Sequence, residues 1–125
     1  MRLIIGGAFQ GKLEFALGLM GRDADIAWGD EDSFEMAFER PIICRFHEYV
    51  RRLLREGRDV EAYLAELEEK NPEAVIVMDE IGYGIVPVDP ADRRFREEAG
   101  RTGQRLAGKA EAVYRVVCGI GTRIK

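Results

Sequence analysis

The sequence predicts a single α/β domain over residues 1–125, with a mostly parallel sheet flanked by helices. Three observations carry that expectation. Short apolar, β-branched runs alternate with stretches of helical spacing, the pattern of parallel strands joined by crossover helices. A glycine-rich loop joins the first apolar run to the first helical stretch. An acidic pair, Asp79-Glu80, ends the clearest strand.

The elements follow in order. Leu3-Ile4-Ile5 is a short apolar run closed by Gly6-Gly7 and reads as a buried strand and turn. Leu13, Ala16, Leu17 and Met20 then share one helical face, and Gly21 closes that helix. Residues 24–28 form a second short strand, ending at Trp28. The acidic loop Gly29-Asp30-Glu31-Asp32-Ser33 and a short helix over 34–39 follow. Pro41 is expected to open a helix in which Ile42, Phe46, Tyr49, Val50, Leu53 and Leu54 line one face. Gly57 ends it. Asp59 caps the next helix, whose stripe is Val60, Tyr63, Leu64 and Leu67. Asn71-Pro72 breaks the pattern. Ala74-Val75-Ile76-Val77-Met78 is the central strand. After a loop from Ile81, Asp89-Pro90 supplies a cap and a first-turn proline for a long helix to about Gly108. Residues 113–118 make the last strand, and 119–125 a glycine-containing tail. No repeat, low-complexity tract or linker divides the chain.

Composition excludes several classes. With 125 residues, 46% hydrophobic and 34% charged, the chain suits one compact core. A net charge of −4 gives no general attraction to nucleic acid or anionic membrane. Cys44 and Cys118 form no paired metal spacing and no disulfide framework, consistent with reduced thiols. The first residues lack the pattern of a signal peptide, and no run approaches the roughly 20 apolar residues of a membrane helix. A cytoplasmic location is expected.

Gly6-Gly7-Ala8-Phe9-Gln10-Gly11-Lys12 matches G-x-x-x-x-G-K between a strand and a helix, the context a phosphate loop requires. Glycines let successive N–H groups turn inward toward phosphate oxygens. The helix start adds partial positive charge, and Lys12 adds a full one. The next position, usually Ser or Thr for Mg²⁺, is Leu13, and an alkyl chain does not ligate a hard cation. Asp79 and Glu80, at a strand end, are candidate Mg²⁺ ligands, and Glu80 is also a candidate proton acceptor or ribose contact. An ordinary strand end is the alternative for both. His47, the single histidine, reads either as a nucleophile toward phosphorus or as a partly buried helix residue. Arg94 and Arg101 are candidate nucleotide contacts on a helix that also carries Arg93 and Arg96. Arg51, Arg52 and Arg55 read as surface. Trp28 is a base-stacking or a core residue, and Tyr83, between Gly82 and Gly84, is placed to close over a ligand.

Several segments share a family resemblance. Ile81-Gly82-Tyr83-Gly84-Ile85-Val86-Pro87 after Asp79-Glu80 resembles the "NEVGxGIVP" segment of the adenosylcobinamide kinase / adenosylcobinamide-phosphate guanylyltransferase family. Gly6-Gly7-Ala8 with Gly11-Lys12 resembles its "GGAxSGKS" loop. Arg93-Arg94-Phe95-Arg96 with Gly100-Arg101 and Gln104 resembles its "RRFRDxxGRxNQ" helix. Val116-Val117-Cys118-Gly119 resembles its "VxVSG" strand, and Ile124-Lys125 its closing pair. These stretches cover the first tenth and the last third or more of the chain.

The resemblance implies a RecA-like P-loop NTPase fold. It further implies GTP or ATP with Mg²⁺, a corrinoid acceptor and a homo-oligomer. The implied reactions are phosphorylation of adenosylcobinamide and transfer of GMP through a guanylylated histidine. That histidine ordinarily follows a Glu-Met pair. Glu35-Met36 is present here, and His47, farther along, is the candidate carrier. No counterpart of the family's extra strand, "LLDCLTLW", stands between Trp28 and Ala74, so a contracted middle is expected. Two functions remain open from the residues: a kinase or nucleotidyltransferase, and a non-catalytic nucleotide or corrinoid binder. A kinase for another small alcohol would share the same fold.

Overall fold

The computed structural model describes residues 1–81 and 89–125. In order, the elements are β1 (Arg2–Gly6), α1 (Lys12–Met20), β2 (Ile26–Trp28), a 3₁₀ turn (Phe34–Phe38), β3 (Ile42–Cys44), α2 (Phe46–Arg55), α3 (Val60–Lys70), β4 (Val75–Asp79), α4 (Pro90–Lys109), β5 (Ala112–Val117) and β6 (Ile120–Arg123). They form one six-stranded sheet in the order β2-β3-β4-β1-β5-β6. Five strands run parallel, and β6 returns antiparallel to β5. The expected mostly parallel sheet with flanking helices is what the chain forms.

Because β1 is central, its register sets the site. Arg2 pairs with Val75, and the ladder ends with Gly6 beside Asp79. The first loop and the acidic pair therefore meet at one end of the sheet, where ligands of open parallel sheets collect.

Alternation along the strands splits the core. Leu3, Ile43, Ile76, Met78 and Val113 face a large cluster covered by α2, α3 and α4. Ile4, Ile42, Val75, Val77 and Val116 face a smaller cluster covered by α1. Side chains leave a strand on alternate sides, so an all-apolar run serves both faces. The helix ends follow local chemistry. Gly21, at φ 105°, donates to the Leu17 carbonyl at 2.8 Å. Asp59 accepts from the Ala62 N–H, and Asp89 accepts from the Ala91 N–H with Pro90 opening α4.

Two expectations are corrected. Pro41 opens no helix: the next three residues are β3, which slots between β2 and β4, so a strand does stand between Trp28 and Ala74. All three of its residues are buried. Nor are residues 113–118 the last strand. Cys118 (φ 49°) and Gly119 (φ 76°) make a two-residue turn with both φ positive, the hairpin geometry that matches strand twist. The tail thereby becomes β6.

Candidate functional site

The glycine loop is built against the β5–β6 hairpin. A Cβ on Gly6 would lie 2.5 Å from the Val116 carbonyl oxygen, so only glycine lets β1 end this close to β5. Gly11 has φ 90°, and a Cβ there would lie 3.1 Å from Gly119 Cα. Gln10 ties the two segments together. Its side-chain carbonyl accepts from the Cys118 N–H at 2.7 Å, and its backbone carbonyl accepts from the Gly119 N–H at 2.7 Å. Ala8 and Phe9 form the loop tip, where Phe9 is fully exposed with φ 60°.

Lys12 opens α1 and is almost wholly buried. Its Nζ donates to the Gly7 carbonyl at 2.5 Å and lies 2.8 Å from Asp79 Oδ1. A buried ammonium requires such partners, since burying it unpaired costs far more than the pair returns. The pair places the Asp79 carboxylate directly beside Nζ at the end of β4.

His47 joins the same cluster. It is buried at the start of α2, immediately past the end of β3. Its Nδ1 accepts from the Asp79 backbone N–H at 3.1 Å. Its Nε2 lies 3.6 Å from Asp79 Oδ2 and 3.8 Å from Glu48 Oε1. An Nδ1 that accepts leaves the proton of the neutral ring on Nε2, facing the carboxylates. Burial holds the imidazole below the usual histidine range, against the raising pull of Asp79 and Glu48.

The other candidates separate. Glu80 donates its N–H to the Gly6 carbonyl, while its carboxylate takes both Nε and Nη2 of Arg115, at 2.7 and 3.2 Å. Leu13 packs partly buried into the α1-side cluster. Arg94 lines a different cavity, of about 500 Å³, with Arg51 and Arg55 between α2 and α4. Arg101 is half exposed and pairs along its own helix with Glu97 and Glu98. Tyr83 and the rest of 82–88 lie outside the described residues.

A cavity of about 370 Å³ opens in front of the loop, on the α1 side of the sheet. The loop residues, Lys12 and Asp79 line it together with Trp28, Cys44 and Arg45. Burial pushes the Cys44 thiol up to about 11, so it stands as a neutral, inert wall. Sequence reasoning passes over Arg45. Its position follows from β3, whose end sets where α2 begins, and no local pattern announces it.

Mg²⁺ is the group the fold implies. Among the described residues no group of three or more His, Cys, Asp or Glu is arranged to hold a metal ion. Asp79 is partly exposed at the loop, and a single carboxylate suits an ion that keeps its waters and arrives on phosphate oxygens. The residues fit a nucleotide-borne Mg²⁺ rather than a resident ion. No helix among the described residues is long and apolar enough to cross a membrane.

Comparison with known proteins bears on the family of the chain. A family model described as cobinamide kinase / cobinamide phosphate guanyltransferase matches residues 47–124. The bifunctional adenosylcobalamin biosynthesis protein CobU of Salmonella typhimurium is 42% identical over 67 residues, 54% of this chain and 37% of that protein. The protein of the same name from Escherichia coli is 40% identical over 67 residues, with the same coverage. Each match therefore spans little more than a third of the curated relative. The family match begins at His47, so the glycine loop precedes it and stands on its own geometry.

Proposed function

The chain belongs to the cobinamide kinase / cobinamide phosphate guanyltransferase family, and from that premise we propose that it is a cobalamin-biosynthesis transferase acting with GTP or ATP. The nucleotide would be held by residues 6–12. The acceptor would be a corrinoid, adenosylcobinamide or its phosphate. The observation that carries the reading is the Lys12–Asp79 pair at 2.8 Å, set at the mouth of a strand–loop–helix turn. One cation and one carboxylate stand side by side where phosphate and Mg²⁺ would both arrive.

The roles follow from the geometry. Incoming phosphates would take the loop amides and compete with Asp79 for Lys12. Asp79, released from Nζ, is then available to the ion or its waters. Mg²⁺, when bound, neutralises charge on the phosphate oxygens. Glu80 stays clamped by Arg115 unless the nucleotide displaces it, so its part in holding the ion is secondary. In-line transfer needs positioning and charge neutralisation more than covalent help. If GMP is carried on a histidine here, His47 must first surrender one nitrogen: Nδ1 is occupied by the Asp79 N–H and Nε2 faces carboxylates. In the described arrangement His47 orients Asp79. Arg94 and Arg101 would reach a nucleotide only by leaving the surroundings described above. A cytoplasmic location and a homo-oligomer complete the proposal.

Leu13 favours a second reading. An alkyl side chain follows Lys12 where a hydroxyl would serve Mg²⁺, which suits a nucleotide- or corrinoid-binding homologue without turnover, an accessory or sensor subunit. Incubation with adenosylcobinamide, GTP or ATP and Mg²⁺ tests the two. The first reading predicts a phosphorylated or guanylylated corrinoid. Nucleotide binding without product, with activity appearing in Leu13→Ser, would overturn it in favour of the second.

A further inference from the structure

Arg45 lines the same cavity as the phosphate loop and Lys12, and we propose that it is the second cationic contact of the site, one that reads the terminal phosphate of a nucleoside triphosphate. The proposal rests on the reading that residues 6–12 hold phosphates.

Four observations converge on it. Arg45 adopts φ 56°, an unusual left-handed backbone for a residue other than glycine, asparagine or aspartate. That conformation is enforced from outside. Gly29 lies so close that a Cβ on it would stand 2.0 Å from the Arg45 carbonyl oxygen, and the Gly29 N–H donates to the Cys44 carbonyl at 2.8 Å. The Arg45 carbonyl in turn accepts from the Glu48 N–H at 2.9 Å, which locks the residue as the start of α2. A backbone held in a costly conformation by its neighbours fixes where its side chain begins.

The guanidinium itself is loosely engaged. Nε lies 3.4 Å from Asp30 and Nη2 lies 4.0 Å from Glu48, and the side chain is half exposed. Such pairs add little stability, so the cost of leaving them is small. Lys12, which lines the same cavity, is by contrast buried and bonded to both Asp79 and the Gly7 carbonyl. An anion seated on the loop amides and Lys12 would therefore share its cavity with a loosely paired, fork-shaped cation. A planar guanidinium grips a phosphate through two parallel N–H bonds, and in phosphoryl transfer such a group also balances charge that develops at the transferring phosphorus. The balance of charge is local: Arg45 leaves Asp30 and takes the terminal phosphate, while Lys12 leaves Asp79 and takes the inner ones.

The test compares triphosphate with diphosphate. Calorimetric titration with a non-hydrolysable GTP analogue and with GDP, both with Mg²⁺, is made on the wild type, Arg45→Gln, Arg45→Lys, Arg45→Gly and Lys12→Ala. Arg45→Gly relaxes the left-handed backbone, so it controls for folding. Arg45→Gln and Arg45→Gly are expected to weaken the triphosphate analogue about tenfold or more while GDP changes less than about twofold. Arg45→Lys should recover part of the loss, and Asp30→Asn, which frees the guanidinium, should tighten the analogue. Lys12→Ala should weaken both ligands. Equal effects of Arg45→Gln and Arg45→Gly on both ligands, or none on either, while Lys12→Ala still abolishes binding, would overturn the role of Arg45 alone. Unchanged binding in Lys12→Ala would overturn the phosphate-loop reading beneath it.

Discussion

The two faces of the sheet are unequal. Three helices and a 3₁₀ turn cover one face, and their aromatic rings nest around Tyr63, with Phe34, Phe38, Phe46 and Tyr49 all within 6.4 Å centroid to centroid. The phenols there are used as well as buried. Tyr63 Oη donates to the Phe34 carbonyl at 2.8 Å, and Tyr49 Oη donates to the Ser33 carbonyl at 2.9 Å. Burial pushes the Tyr49 phenol up to about 12 and the Tyr63 phenol higher still. Among the described residues the other face carries α1 alone, with Ala16 buried and Leu13, Leu17 and Met20 only partly so. The loop cavity opens on this thin face. One side of the sheet holds the strands in register, and the other is left open enough to admit a ligand at their ends.

This division is open to test by mutation, beginning with the largest effect. Leu64→Ala, at a fully buried position on the thick face, should cost about 2–5 kcal/mol in denaturant unfolding and leave nucleotide affinity unchanged. Leu17→Ala, partly buried on the thin face, should cost less than about 2 kcal/mol. Equal costs would break the comparison. Gly6→Ala should cost about 1–3 kcal/mol and weaken nucleotide binding with it, because the new methyl drives the loop off the Val116 carbonyl.

A smaller effect concerns pH. Because the folded protein holds His47 below its ordinary range, the unfolded chain binds the proton more readily. Stability is complete above the unfolded value, about 6.5, and falls as pH drops through it toward the depressed folded value, by at most about 1.4 kcal/mol per pH unit. The substitution His47→Asn retains an acceptor for the Asp79 N–H and should flatten that slope in unfolding curves between about pH 7 and 5. The smallest effect is on thiol labelling. Cys118, exposed in the hairpin turn, should react with a thiol reagent in the folded state, while Cys44 reacts only on unfolding.

Much of this is legible in the sequence, and the gaps have physical causes. Asp59, Asp89-Pro90 and Gly21 announce helix ends because a cap acts within a turn of chain. The central strand declares itself through five consecutive apolar residues, four of them buried in β4. β3 does not, because three buried apolar residues show no alternation, and Ile42 continues the helical spacing of Phe46 and Tyr49 by coincidence. β6 is hidden because its turn uses Cys118 where asparagine or glycine is the usual signal. Within the site, Lys12 and Asp79 are readable from motif and strand end. Their pairing with His47 is not, since it depends on where β3 stops and α2 starts. The same dependence conceals Arg45. The loop motif groups Gln10 with the nucleotide contacts, and the bond of its side chain to the hairpin carries no local signal.

The central claim, that the turn between β1 and α1 receives phosphate, is most directly tested on its own amides. In two-dimensional ¹⁵N spectra titrated with GTP and Mg²⁺, the account predicts saturable shifts at Gly7, Gly11 and Lys12, together with Asp79 as its carboxylate leaves Nζ. Shifts confined to other parts of the chain, with those four resonances unmoved at saturation, would contradict it.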